Sequence, residues 1–388
     1  MVTLQKKQIQ DALNEYISKG ENRITDIIEM VYNAIMVNER HIFLANQDDP
    51  KNKANGFRPV KQTAYGRQLR LAIPRDRMGA FKPILMAALR ENAEEINTLA
   101  FELYREGLTT RRISKIFETI YKKHYDCNTI SAMSNTFKDY LKDWRTRGLD
   151  RCYPVILIDC IAAKVRRETV SSEAFYVVMG VKEDYTREVL AIENNPTEGA
   201  ENWKEVLQNI KNRGVEQVQL VVADGLQGLE EATLSVFPDT RFQKCVTHLM
   251  RNALRKTKTE DKKAIAADLK PIFETTDNTH SKEKAYRMQK GFVSKWGKKY
   301  PTYKKMFSKE NIRCYLTFLD FHYKIRSMIY TTNWIERLNK EFRRALKIRN
   351  SMPSVDSVLF LLSAIAREME KGTYKYRIEA FDNEPIFG

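Results

Sequence analysis

Between Tyr153 and Cys245 the apolar pattern changes character, and that change limits the folds open to this chain more than any other feature. Three runs rich in β-branched and aromatic residues, YPVILIDCIAAKVR, SEAFYVVMGVKE and REVLAIENNP, follow one another across short polar turns. Such runs read as three consecutive strands, most simply a meander. A helical pattern from Ala200 to Arg213, stopped at Gly214, comes next. It is followed by the apolar strand VQLVVAD, a helix from about Gly228 to Val236 and a short strand around RFQKC. Three strands, helix, strand, helix, strand is the order expected of an α/β, ribonuclease H-like core built on a mixed sheet.

Helical periodicity flanks this block on both sides. Ile9, Leu13 and Ile17, then Ile24, Ile27, Ile28, Val31 and Ile35, predict two helices before about residue 47. Residues 48–66 are polar and read as a linker, a mobile loop or an extended arm that contacts DNA. Gln68 to Pro74 alternates like a short strand and runs into the basic turn PRDRMGAFKP. Within the helical stretch 81–147, TTRRISKIF offers a Thr cap and an apolar face of Ile113, Ile116 and Phe117, and NTISAMSNTF a second capped helix with exposed Ser and Asn. That pairing resembles a helix-turn-helix, whose second helix enters the major groove. An ordinary helical hairpin is the competing reading. From Thr247 to about Arg326 the chain is helical and polar, TTNWIERLNKEFRRALKIR opens a further helix, and Ser354 to Lys371 carries the stripe Val355, Val358, Leu359, Leu362 and Ile365. The expected layout is a mainly helical N-terminal region with linker (1–65) and a DNA-binding region (66–150). The first part of the core (151–248), an all-helical insertion (249–330), and the second part of the core with C-terminal helices (331–388) follow.

Composition narrows the partners. The 388 residues include 66 Lys+Arg against 50 Asp+Glu, a net charge of +16, which suits a polyanionic partner and most often nucleic acid. No apolar run approaches the roughly 18 residues of a membrane helix. The charged N-terminus MVTLQKKQIQDALNEY has no apolar export segment. Five cysteines without a Cys-x-x-Cys pair fit reduced thiols and a cytoplasmic location, nucleoid-associated when DNA-bound. No GxxxxGK[ST] loop is present, so no nucleotide cofactor is expected, and no GxSxG elbow supports a serine hydrolase.

Asp159 ends the run VILID and Asp224, 65 residues later, ends LVVAD. A carboxylate where a buried strand emerges is held rigidly yet open to solvent, a useful setting for a hard cation. Glu336 lies in the first turn of TTNWIERLNKEF, capped by Thr332 or Asn333, one residue off the stripe Ile335, Leu338, Phe342 and Leu346. Taken singly, Asp224 in Asp-Gly is a common turn residue and Glu336 a common helix partner for Lys340. Taken together, the three acids suit two Mg²⁺ ions, with Mn²⁺ able to substitute, that activate a water or a 3′-hydroxyl for in-line attack at phosphorus. Cys245 and His248 form C-x-x-H without a second ligand pair, so a structural zinc is not expected. His248 reads either as the start of a helix or as a catalytic group, near the scissile phosphate or hydrogen-bonding a catalytic acid.

These residues fall within a longer ordered set. NGF, TAYGRQLRLAIPRDRMGAFKP, EGLTTRRIS with NTIS, YPVILIDCIAAKVR, VVADGLQGL, FQKCVTHLMRN and TTNWIERLNKEFRRALKIRNSMPS together resemble the Mutator-type bacterial insertion-sequence transposases over residues 55–370. The resemblance implies a DDE triad at Asp159, Asp224 and Glu336, with Cys245 and His248 as the family's C-x-x-H. It also implies a helical insertion between the second and third acids, and dimeric action on the terminal inverted repeats of an element and on target DNA. Departures include Trp334, where a small residue or Pro is commoner, and Arg337, where Ser is commoner. Trp334 either packs under its helix or stacks on an unpaired base.

Charge windows suggest where DNA lies. Residues 281–305 hold nine Lys/Arg against Glu283, interleaved with Tyr286, Phe292, Trp296, Tyr300 and Tyr303, and residues 337–349 hold six against Glu341. Basic residues among aromatics suit backbone tracking and base stacking. The expected DNA contacts are Arg75, Arg77, Arg111, Arg112, Lys164, Arg166, Lys295, Lys298, Lys299, Arg337, Lys340, Arg343, Arg344 and Lys347. A transposase that cleaves element ends and joins the 3′-hydroxyl to DNA is the expected function. The alternatives are a structure-selective nuclease on the same core and a non-catalytic helix-turn-helix regulator.

Overall fold

A computed structural model of the protein describes residues 24–46, 51–64, 67–121, 124–195 and 199–379. The first expected N-terminal helix lies outside the described residues. The chain forms two compact units, residues 1–137 and 138–388.

The first unit begins with helix α1 (Ile24–Ala45) and continues into an antiparallel hairpin of β1 (Ala54–Ala64) and β2 (Arg67–Asp76). The stretch expected to be a linker or arm is therefore largely a strand. Its residues from Ala54 to Pro59 are exposed, so no apolar alternation marks it. Backbone pairing with β2 holds it, while Leu69, Leu71 and Ile73 of β2 supply the buried face together with Met36 of α1. The free edge of β2 is sealed by α1, because Glu29 and Asn33 accept from the Arg70 and Ala72 N–H groups at 2.6 and 2.8 Å. Three helices follow, α2 (Ile84–Arg105), α3 (Thr110–Tyr121) and α4 (Cys127–Asn135). Thr109 caps α3 and Asp126 caps α4 through the Thr129 N–H at 2.7 Å. Ile113 and Phe117 are buried and Arg111 and Arg112 exposed, as the apolar spacing predicts. Ser134, by contrast, is buried and bonds to the Ile130 carbonyl rather than facing solvent.

The second unit opens with α5 (Lys138–Thr146) and is centred on a mixed five-stranded sheet. β3 (Cys152–Arg166), β4 (Val170–Val181) and β5 (Arg187–Asn195) form the antiparallel meander. α6 (Ala200–Asn212) leads to β6 (Gln217–Ala223), which pairs parallel with β3, and α7 (Leu229–Val236) leads to β7 (Arg241–Lys244), parallel to β6. The order across the sheet is β5-β4-β3-β6-β7. Trp203 of α6 packs on Tyr176 of β4 with ring centroids 3.8 Å apart, fully buried in the main core.

Helices α8 (Val246–Arg255), α9 (Lys262–Leu269), α10 (Lys282–Trp296), α11 (Thr302–Met306), α12 (Lys309–Ile312) and α13 (Tyr323–Ile329) separate β7 from α14 (Asn333–Arg349) and α15 (Val355–Met369). This helical segment returns to the sheet. Gln243 of β7 accepts from the Phe318 N–H at 2.7 Å, and Thr317 donates to the Phe242 carbonyl at 2.8 Å. Among the described residues no helix is long and apolar enough to cross a membrane.

Candidate active site

The parallel pairing of β3 with β6 is what brings the first two acids together. Ile158 is in register with Ala223, so Asp159 and Asp224 are the next residues on neighbouring strands. Here the structure corrects one expectation. Asp159 does not end its strand and is not open to solvent. β3 continues to Arg166, Asp159 pairs in register with Val177 of β4, and it is only 7% exposed. Its carboxylate is held on both oxygens, by the Cys160 N–H at 2.8 Å and by Nδ2 of the buried Asn339 at 2.6 Å. Burial pushes its pKa above the ordinary carboxylate value, opposed by those two donors and by the positive charges of His248 and Arg343. Asp224 follows β6 directly, is about one-third exposed, and takes the Gly225 N–H on Oδ1 at 2.7 Å.

The third acid arrives on α14. Ile335, Leu338, Phe342 and Ala345 are buried, Leu346 is only half-buried, and Asn339 occupies the same buried stripe. That geometry turns Glu336 inward, where it meets His248 and Arg251 rather than Lys340. His248 Nε2 lies 3.8 Å and Arg251 Nη1 3.6 Å from Glu336 Oε1. On the other side of the ring, His248 Nδ1 is 3.6 Å from Asp224 Oδ1. One imidazole therefore stands between the second and third acids. The adjacent Cys245 sulfur, followed by Asp224 and Asp159, outweighs burial and raises its pKa to about 9.

Cys245 is buried between β7 and α8. Its N–H bonds to the Ala223 carbonyl at 2.7 Å and its sulfur accepts from the Thr332 hydroxyl at 3.4 Å. Burial resists ionisation of the thiol, but His248 and Thr332 hold its pKa below the ordinary value. Thr332 thus supports the site instead of capping α14 with its side chain. Trp334 is half-buried with the Arg187 guanidinium over its ring, 6.0 Å from the centroid.

The donor set is one that a hard cation favours. Glu336 Oε1 is buried without a hydrogen bond, an acceptor left for a cation. The carboxylates face His248 and Arg251, and among the described residues no group of three His, Cys, Asp or Glu side chains is spaced to hold a metal ion.

The expected DNA contacts scatter more widely. Lys164 and Arg166 are exposed at alternate positions of β3, and Arg337, Lys340, Arg343, Arg344 and Lys347 line the exposed side of α14, where Arg344 pairs with Glu341 at 2.9 Å. Arg75 and Arg77 are exposed in the first unit. The α10 window differs from its expected character. Phe292, Tyr300 and Tyr303 are buried, and Trp296 donates to Asp268 at 2.7 Å, so these aromatics build a core instead of a stacking platform. Lys295 pairs with Asp268 at 2.6 Å and Lys299 with Asp261, while Lys298 is exposed. Sequence reasoning passed over Asn339 and Arg251. Asn339 carried a signal, as a lone polar residue in an apolar helical stripe. Arg251 carried none.

The chain is thus a mixed α/β protein in which three acids lie near a helix with an exposed basic side. The chain belongs to the Mutator family of transposases, whose pattern, "Transposase, Mutator family", matches residues 2–376. It is similar to the transposase for insertion sequence element IS905 of Lactococcus lactis subsp. lactis (strain IL1403), with 33% identity over 85% of each chain. The transposase for ISRM3 of Rhizobium meliloti (strain 1021) is 32% identical over 81% of this chain and 78% of its own. The transposase for IS256 in transposon Tn4001 of Staphylococcus aureus is 27% identical over 95% and 94%. A solved structure, the Drosophila P element transposase strand transfer complex, overlaps 79% of this chain and 83% of its own with a TM-score of 0.30 and 12% identity, too slight a likeness to bear on the fold.

Proposed function

We infer that this transposase binds the terminal inverted repeats of an insertion sequence, hydrolyses a phosphodiester bond at the element ends, and joins the freed 3′-hydroxyl to target DNA by direct transesterification. The observation that carries this reading is the approach of Asp224 and Glu336, from distant parts of the chain, to the two sides of His248, with Asp159 and Asp224 each one residue beyond the register pair Ile158 and Ala223. The strand order β5-β4-β3-β6-β7 supports a ribonuclease H-like core, with the helical segment before α14 as its insertion. Action as a homodimer belongs to the same reading.

Asp159, Asp224 and Glu336 would hold two Mg²⁺ ions only once drawn closer than the spacing described above, and the ions would then supply an activated nucleophile and a counter-charge for the leaving oxygen. The chain's own residues prepare for this. Asn339 and the Cys160 N–H fix the Asp159 carboxylate in one orientation. His248, protonated at neutral pH, balances the neighbouring acids and offers an N–H to a phosphate oxygen. Arg251, more than half exposed beside Glu336, presents a guanidinium to the DNA backbone.

Asp159→Asn, Asp224→Asn and Glu336→Gln should each abolish cleavage of a duplex carrying the element's ends while leaving its binding nearly intact. Retained cleavage by any one of them would sink the assignment of that acid. Strand cleavage without joining would favour a nuclease instead.

A further inference from the structure

Residues 51–83 of the first unit hold nine Lys/Arg, at 51, 53, 58, 61, 67, 70, 75, 77 and 82, against one acid, Asp76. That acid is turned inward. Asp76 is 2% exposed, and its carboxylate accepts from Asn52 Nδ2 at 2.8 Å, the Ala80 N–H at 3.1 Å and the Phe81 N–H at 3.2 Å. Asn52 in turn accepts from the Met78 N–H at 3.2 Å, and Gly79, at φ +69°, takes the left-handed step that closes the turn. Arg40 of α1 donates to the carbonyls of Gly56 and Arg75 at 3.2 and 3.1 Å, tying the helix to both strands. The turn is thus fixed by buried and part-buried polar contacts, and the Asp76 carboxylate is engaged by N–H donors instead of by the neighbouring cations.

Beside it lies a groove of about 630 Å³, lined by Arg58, Arg75 and Lys82 with Phe81 and Met86, and with Asp76 at its wall. Arg58 is in register with Ile73, so Arg58 and Arg75 fall on one face of the hairpin. The three cations are exposed, as is Arg77 on the adjoining turn, and among the described residues none of the four is in an ion pair. Phe57 and Met78 flank the turn, 52% and 58% exposed. Unanswered cations spread along an apolar-floored groove suit a run of backbone phosphates better than one small anion.

We propose that this groove, with Arg58, Arg75 and Lys82, is a preorganised binding site for the phosphate backbone of duplex DNA, and that Asp76 and Asn52 are its positioning residues. The site rests on the transposase reading for the identity of its polyanion and extends it to residues outside the catalytic unit.

The test measures binding of the full chain to a random-sequence DNA duplex as a function of salt. The combined variant Arg58→Ala, Arg75→Ala, Lys82→Ala should flatten the log–log salt dependence by about three units, roughly 0.9 for each phosphate that is no longer neutralised. The charge-preserving variant Arg58→Lys, Arg75→Lys should retain most of the slope, which controls for folding. The combined variant Lys295→Ala, Lys298→Ala, Lys299→Ala should shift it by no more than about one unit. An unchanged slope in the groove variant, while the wild type binds and cuts element ends, overturns the groove alone. A wild type that binds no duplex overturns both the groove and the functional reading. A variant that keeps its slope but changes oligomeric state makes the groove a contact between copies and also overturns the proposal.

Discussion

Two stretches of this transposase carry the same formal charge and present it differently. Residues 281–305 and residues 51–83 each contain nine Lys/Arg and one acid, a net of +8. Around α10, folding brings acids in from outside the window: Asp268 to Lys295, Asp261 to Lys299, Asp277 to Lys284 at 3.0 Å and Asp320 to Lys282 at 2.6 Å. In the hairpin the one acid is buried, and Arg58, Arg75, Arg77 and Lys82 are exposed with no ion pair among the described residues. Charge counted along a sequence is therefore a poor guide to charge on a surface. What matters is where the counter-charges lie in three dimensions, and whether an acid's lone pairs are taken up by N–H donors or by cations.

The sharpest way to break this contrast is to unlock the hairpin turn. Asp76→Ala leaves the Asn52 side chain and the Ala80 and Phe81 N–H groups without their acceptor, at about 1–3 kcal/mol for the buried Asn52 donor and less for the two part-buried N–H groups. DNA affinity should fall about tenfold or more, with a flatter salt dependence because Arg75 and Arg77 no longer hold one arrangement. Denaturant unfolding and salt-dependent binding check the two parts. A destabilised variant with the wild-type slope would separate the turn from DNA contact.

A smaller effect sharpens the contrast from the other side. Replacing Asp261, Asp268 and Asp277 by Asn together should release Lys284, Lys295 and Lys299, so duplex binding should strengthen and its salt slope steepen by about one to three units. The pairs are exposed to solvent and contribute little to stability. Binding that stays at the wild-type level would mean these lysines do not lie near DNA even when free.

How much of this was legible in the sequence follows from which forces write themselves into residue patterns. The meander and the two parallel strands were readable because burial on both faces demands unbroken β-branched and aromatic runs, as in YPVILIDC and VQLVVA. β1 was not, because its strand character comes from backbone pairing while the side chains from Ala54 to Pro59 stay exposed. Asp159 and Asp224 stood out at the ends of apolar runs, and YPVILIDCIAAKVR already carried the strand past Asp159, yet the burial of Asp159 depends on Asn339 of α14, which no local spacing reveals. The burial of Phe292, Tyr300 and Tyr303 had no such signal, since α10 ends at Trp296 and the two tyrosines lie beyond it, folded back onto Phe292. The ion pairs of α10 had none, as their acids come from elsewhere in the chain.

The acids at the candidate active site form a third case, in which the answering cation is a histidine and so depends on pH. Lysine partners stay charged throughout the physiological range, but an imidazole keeps its proton near neutrality only if anions hold it there. With Cys245, Asp224 and Asp159 raising its pKa to about 9, His248 should remain protonated at pH 7–8, where an ordinary histidine has already titrated. NMR titration of the metal-free protein measures this directly, with His248→Asn identifying the signal among five histidines. Asp224→Asn removes an anion 3.6 Å from the ring, so it should lower the histidine pKa towards the ordinary 6.5. Glu336→Gln should act in the same direction through Oε1 at 3.8 Å. Asp268→Asn, which alters contacts to Lys295 and Trp296 in the helical segment, should leave it unmoved. An imidazole that titrates near 6.5 in the wild type would mean the acids do not depend on His248 for charge balance, and the three acid settings would reduce to two.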